Sequence, residues 1–162
     1  MTSITIPDSV TTLGGSVFSG CTSLTSITIG SGITSIGNWA FSFLSGLTSV
    51  TFANDSKVTS IGNYAFYGCS NLTSITIPDS VTTLDPTAFY GCTGLTSVVI
   101  GNGVTEIGNY AFYRFTKLTS VTFATGSKVT SIGNMSFYGC SNLTSITTVS
   151  YTHLTLPTNR EV

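Results

Sequence analysis

Charge is scarce in this chain. Asp, Glu, Lys and Arg make up 7% of its 162 residues, where globular proteins ordinarily carry about 25%. The net charge is −1, which removes any bulk electrostatic pull toward nucleic acid or anionic membrane. Histidine occurs once, at His153 near the C-terminus. The rest of the chain therefore has no imidazole for a Ser-His or Cys-His dyad, or for a metal. Its acids ahead of that point are Asp8, Asp55, Asp79, Asp85 and Glu106, and no two are spaced as an acid/base pair. A non-catalytic protein is expected, with no cofactor and no metal. No apolar run approaches the roughly 18 residues of a membrane-spanning helix, so no membrane insertion is expected in this segment. There is no basic-then-apolar leader either, and any secretion signal is expected outside the segment.

What is abundant is serine, threonine and glycine, set among apolar residues at a fixed period. The string "FYGCSNLTSIT" occurs at 66–76 and again at 137–147. The triplet "LTS" recurs with Leu24, Leu47, Leu72, Leu95, Leu118 and Leu143, and Met1 stands where a seventh would be. The steps are 23, 23, 25, 23, 23 and 25 residues, a 71-residue block of three coils used twice. The longer steps hold their two extra residues in one place, "ANDSKVTS" and "ATGSKVTS" against "GSGITS", which predicts a loop on one edge. Within a coil, Ile27 and Ile29 differ by two and share one face of a strand, with Ser26 and Thr28 on the other. A turn follows, and Val58 and Ile61 point inward again. Ala65 and Cys69 are four apart, so "NYAFYGC" reads as a short helix or 3₁₀ segment. One coil of this size cannot bury both of its apolar faces alone, and stacking is required. Like positions then form ladders, among them Phe18, Phe41, Phe66, Phe89, Phe112 and Phe137. The expected fold is a right-handed solenoid with one parallel β-sheet face and short helical or 3₁₀ segments opposite.

These coils resemble the BspA-type, or Treponema-type, leucine-rich repeat. "LTSITIPDSVTTLDPTAFYGCTG" at 72–94 carries the pattern, and residues 1–147 hold about six copies. The departures are Leu44 and Phe115 in the cysteine position and Met135-Ser136 in place of an aromatic followed by Ala. The resemblance implies an extracellular or cell-surface location and a protein partner, such as a host or matrix protein, with an adhesin fragment as one form. Two other roles fit the same coils, a structural spacer without its own ligand and a binder of ice or crystal surfaces. The last would use the outward ladder of Ser3, Ser26, Ser49, Ser74, Ser97, Ser120 and Ser145 with the threonines beside it. Small β-forming residues on a solvated sheet explain that ladder as well.

Cys21, Cys69, Cys92 and Cys140 share one ladder position. Because Leu44 and Phe115 fill the same slot, buried free thiols are expected there, with only Cys69 and Cys92 in adjacent coils. Aromatic residues give the candidate binding site. Tyr67, Tyr90, Tyr113 and Tyr138 follow the core Phe by one residue. Trp39, Tyr64 and Tyr110 precede it by two, in a column that elsewhere holds Ser16, Thr87 and Met135. Exposed Tyr and Trp are common interface anchors, although the same rings could merely shield the coil. Lys57, Arg114, Lys117 and Lys128 are too scattered to make a nucleic-acid stripe. From 148 onward the register is lost, and "VSYTHLTLPT" resembles a translated sequencing adapter. Residues 148–162 are expected to be a non-repeat tail, with 149–162 disordered or poorly packed.

Overall fold

A computed structural model of the chain describes residues 2–149. The expectation for the tail therefore lies outside the described residues, apart from Thr148 and Val149. Twelve strands occur among the described residues. In chain order they are β1 (Ser3–Ile6), β2 (Ser26–Ile29), β3 (Ser35–Ile36), β4 (Ser49–Phe52), β5 (Ser60–Ile61) and β6 (Ser74–Thr76). They continue with β7 (Thr83–Leu84), β8 (Ser97–Ile100), β9 (Glu106–Ile107), β10 (Ser120–Phe123), β11 (Ser131–Ile132) and β12 (Ser145–Thr148). The chain winds as a right-handed solenoid of about six turns, and every pairing is parallel.

The longer strands stack in register. Ile4 lies over Ile27, which lies over Val50, and Val98, Val121 and Ile146 form the same column beyond. Alternation places Ile27 and Ile29 at 1% and 0% exposure, while Thr28 between them is exposed. The expectation of a single sheet face is incomplete. A second parallel ladder of two-residue strands joins β3, β5 and β7, and another joins β9 and β11. These strands come from "TSI" and its variants, whose isoleucines Ile36, Ile61 and Ile107 are buried and Ile132 exposed. The extra residues of the 25-residue coils form the turns that enter β5 and β11, closed by Ser56 N–H and Ser127 N–H on the carbonyls of Ala53 and Ala124.

The predicted helical segments are corrected, because no helix occurs among the described residues. In "NYAFYGC" the amides alternate. Those of Ala65, Tyr67 and Cys69 donate back three residues, to Gly62, Tyr64 and Phe66. Those of Phe66 and Gly68 donate instead to the next coil, at Ala88 and Tyr90. A helix uses its amides along its own axis, and here every second one holds two coils together. Turns of this kind also return the chain to the same face after four residues, so the spacing of Ala65 and Cys69 fits both structures.

Three polar ladders lock the coils. Thr48 Oγ1 donates to the carbonyl of Thr25 at 3.0 Å, and Thr119 Oγ1 does the same to Thr96 at 2.9 Å. Thr59 and Thr82 repeat the device on the second ladder. Asn38 Oδ1 accepts from Asn63 N–H, and Asn109 Oδ1 from Asn134 N–H, at 3.0 and 2.7 Å. Glycine is required beside that clamp, since a Cβ on Gly62 or Gly133 would stand 2.5 Å from the asparagine oxygen.

The phenylalanine ladder exists but is divided. Phe18, Phe41, Phe66 and Phe89 stack at centroid distances of 5.6, 5.2 and 5.3 Å, and Phe112 stacks on Phe137 at 5.3 Å. No ring pair links Phe89 to Phe112 among the described residues. The four cysteines are free. Cys69 and Cys92 are buried as expected, and each thiol donates to the carbonyl of a core phenylalanine one coil earlier, Phe41 and Phe66, at 3.1 Å. Burial pushes the Cys92 thiol well above its ordinary range, with Cys69 adding to the push. Cys21 departs from the expectation, being exposed, and Cys140 is half-buried. Both lie in the outermost coils of the stack.

Candidate functional site

Two side-chain columns carry the aromatic residues singled out in the sequence, and the structure brings them into two clusters. In the first, Trp39 lies 4.5 Å from Tyr64 and 5.5 Å from Tyr67, ring centre to ring centre. Tyr67 stacks on Tyr90 at 5.9 Å with an interplanar angle of 7°. In the second, Tyr110 meets Tyr113 edge-on at 5.6 Å, and Tyr113 stacks on Tyr138 at 5.5 Å. Among the described residues no ring pair bridges Tyr90 to the second cluster. Tyr90, Tyr110 and Tyr138 are about half exposed, at 50%, 50% and 55%, while Trp39, Tyr64, Tyr67 and Tyr113 are intermediate.

The backbone shows how these rings are presented. Trp39, Tyr64 and Tyr110 have φ of 61°, 53° and 61°, and Ser16 and Met135 of the same column are left-handed as well. The left-handed region is disfavoured for residues with a Cβ, by about 1–2 kcal/mol, and bulky residues there are outliers. Thr87 is the exception in the column, held instead by Asp85, whose Oδ1 accepts from its N–H at 2.8 Å. A second left-handed column comprises Gly20, Gly68, Gly91 and Gly139, interrupted by Phe43 at φ 57° and Arg114 at φ 60°.

Those two interruptions are site residues that sequence reasoning missed. Phe43 is 51% exposed and meets Tyr67 edge-on at 5.0 Å and Trp39 at 6.4 Å, so it completes the first cluster. Arg114 places its guanidinium 5.3 Å from the Tyr113 ring centre. The available signal was their alignment with glycine in the other coils. Tyr67–Tyr90 and Tyr113–Tyr138 stack between coils, while Tyr64–Tyr67 and Tyr110–Tyr113 meet edge-on within one coil.

Both interruptions of the stack occur at coil 4 (72–94), and both involve proline. At the end of each long strand an amide normally reaches the preceding coil. Gly30, Ala53, Ala124 and Val149 donate to Ile6, Ile29, Ile100 and Phe123 at 2.8–3.0 Å. Pro78 occupies this position in coil 4 and has no N–H to give. The main sheet divides between β4 and β6 at this coil. Val50 and Phe52 of β4 are half-exposed there, although their counterparts Ile27 and Ile29 are buried. A pocket of about 510 Å³ opens at this place, lined by Phe52, Pro78, Asp79 and Ser80 among others. On the other side of coil 4, Asp85-Pro86 replaces the Gly-Asn clamp. The second ladder divides between β7 and β9, and a smaller cavity of about 390 Å³ lies against Pro86 and Gly108.

Among the described residues no group of three His, Cys, Asp or Glu is placed to hold a metal ion, and no helix is long and apolar enough to cross a membrane.

Comparison with known proteins agrees with the geometry. No curated protein matches. A leucine-rich repeat protein from Bacteroides ovatus superposes with a TM-score of 0.76 at 39% identity, over 89% of this chain and 36% of its own length. A leucine-rich cell surface protein from Faecalibacterium prausnitzii gives 0.68 at 32% identity, over 93% of this chain and 48% of its own. The chain thus spans between a third and a half of these two relatives. A leucine-rich repeat protein of T. pallidum shares the fold, with a TM-score of 0.63 at 21% identity, covering 88% of this chain and 78% of its own. The BspA type leucine rich repeat region is matched in 6 copies, over residues 1–75 and 59–156. With coils that repeat in register and stack as that repeat requires, the chain belongs to the BspA-type leucine-rich-repeat family.

Proposed function

We propose that this segment is a protein-binding module of a bacterial surface protein, and that the aromatic clusters are its contact surface. One observation carries the reading. Five exposed or half-exposed rings, Trp39, Phe43, Tyr64, Tyr67 and Tyr90, form one continuous patch, three of them on left-handed backbone. A spacer has no use for bulky residues in a conformation that glycine or asparagine adopts without strain. Aromatic anchors free of Lys and Glu match the composition of protein interfaces, where Tyr, Trp and Phe are enriched and Lys and Glu depleted. The scatter of Lys57, Arg114, Lys117 and Lys128 argues for a protein partner over nucleic acid, which needs a basic stripe. The cell-surface description of the Faecalibacterium relative supports an extracellular setting, and an adhesin acting on a host or matrix protein fits that setting.

The test is retention of the intact chain on a panel of immobilised extracellular-matrix proteins, compared with a Tyr67→Ser, Tyr90→Ser, Tyr113→Ser variant of unchanged circular dichroism. Loss of at least tenfold in affinity is expected, because interface hot spots are dominated by such rings. Equal retention of both proteins would remove the aromatic clusters as the contact surface.

A further inference from the structure

The pocket at the β4–β6 division has a chemical bias. Gly30, Ala53, Ala124 and Val149 give their strand-end amides to carbonyls of the preceding coil, and Gly101 makes no such bond. Pro78 leaves the carbonyl of Phe52 without that donor. Ser80 Oγ, in the same lining, is buried and has no hydrogen-bond partner. Asp79 is the one carboxylate of the lining, which contains no cationic side chain. Asp79 Oδ1 accepts from Asn102 N–H at 2.7 Å, which leaves the carboxylate's second oxygen for a ligand. Val50, Phe52, Ile77 and Pro78 supply an apolar part of the wall, beside Thr51, Asn54, Ser56 and Thr76. The opening therefore offers acceptors and a negative charge beside a hydrocarbon surface.

We propose that this pocket receives the side chain of a lysine or arginine, its alkyl stem against Phe52 and Pro78 and its cationic head on Asp79, Ser80 Oγ and the Phe52 carbonyl. That the cation belongs to a partner protein rests on the protein-binding reading above, and the pocket's preference for the group does not. The same chain supplies a control, because Asp8 is the equivalent turn residue and accepts from Ser31 N–H at 2.7 Å. Asp8 is not part of this pocket's lining. The two aspartates thus perform one structural task, and only Asp79 faces the opening made by the proline.

The experiment is a nuclear magnetic resonance titration of the whole chain with N-acetyl-lysine methylamide and N-acetyl-arginine methylamide. N-acetyl-norleucine methylamide is the uncharged comparison. The cationic probes are expected to shift the amides of Phe52, Asp79 and Ser80, and norleucine to shift none. Asp79→Asn keeps the oxygen that Asn102 needs and removes the charge, so it should weaken the cationic probes about tenfold or more. Asp8→Asn should leave them unchanged. Pro78→Ala returns the amide that Ala53 and Ala124 supply in their own coils, and it should close the division, raise Tm and abolish the shifts. Equal response to norleucine, an unaffected Asp79→Asn variant, or retained binding in a more stable Pro78→Ala variant would each overturn the proposal. Because the probes contain no partner protein, these outcomes are separate from those of the tyrosine series.

Discussion

At Tyr110 the backbone and the side chain make opposite demands. With φ at 61° the residue sits where a Cβ is disfavoured, and its ring is half exposed against Tyr113. Truncation separates the two effects. Tyr110→Ala loses the ring contact and keeps the strain, while Tyr110→Gly loses the contact and releases the strain. Glycine ordinarily costs about 0.5–1 kcal/mol relative to alanine, and left-handed backbone costs a non-glycine residue about 1–2 kcal/mol. The order should therefore invert, with Tyr110→Gly more stable than Tyr110→Ala by about 1 kcal/mol in urea denaturation. Alanine proving the more stable would mean that relieved strain is too small to outweigh the greater chain freedom of glycine at this position. The same logic explains what the sequence concealed. The column Ser16, Trp39, Tyr64, Thr87, Tyr110 and Met135 is visibly variable, but nothing in tryptophan or tyrosine announces a left-handed residue. Phe43 was hidden for a related reason, since it aligns with glycines and not with the tyrosine column.

Ladders set the element scale, and they were the most legible part of the chain. The two-residue alternation in "LTSITI" identified the long strands, and like residues at 23 or 25 positions identified the stack. The short helices were misjudged at "NYAFYGC", because spacing reports which face a residue occupies and not which amide bonds to which carbonyl. The divisions at coil 4 were present in the sequence as Pro78 and as Asp85-Pro86, but recognising them needs the knowledge that those positions donate hydrogen bonds between coils. The second division can be repaired by restoring the clamp of Asn38 on Asn63. In an Asp85→Gly, Pro86→Asn variant, glycine makes room for the oxygen of Asn63 and asparagine offers an oxygen to Asn109. Two recovered hydrogen bonds at about 0.5–1.5 kcal/mol each offset the two that Thr87 loses with Asp85 Oδ1, so overall stability should change by less than about 1 kcal/mol. The Asn109 amide should exchange its hydrogen more slowly than in the parent. An unchanged exchange rate there would show that the proline does not cause the division.

At the scale of the whole molecule, a solenoid's stability is a sum over coils and the interfaces between them, so unequal interfaces divide it into unequal parts. Between coil 3 (47–71) and coil 4 the main sheet is interrupted, but β5 still pairs with β7 and Phe66 still donates to Ala88. Between coil 4 and coil 5 (95–117) β6 still pairs with β8. That second interface lacks the short-strand pairing, the phenylalanine stack and the tyrosine stack that the first retains as β5–β7, Phe66–Phe89 and Tyr67–Tyr90, while the asparagine clamp is missing from both. It is the weaker of the two, and it also separates the two aromatic clusters. Native-state hydrogen exchange in low urea should therefore reveal two cooperative units, as local opening does where contacts thin out. Val98, Leu118 and Val121 are expected to exchange together through an opening of lower free energy than the one exposing Ile27, Phe41 and Ile61, because four stacked coils support the latter and fewer support the former. A single common opening energy for all six amides would mean that the main sheet alone transmits cooperativity across coil 4. The aromatic clusters would then move as one rigid surface instead of two that can adjust to a partner.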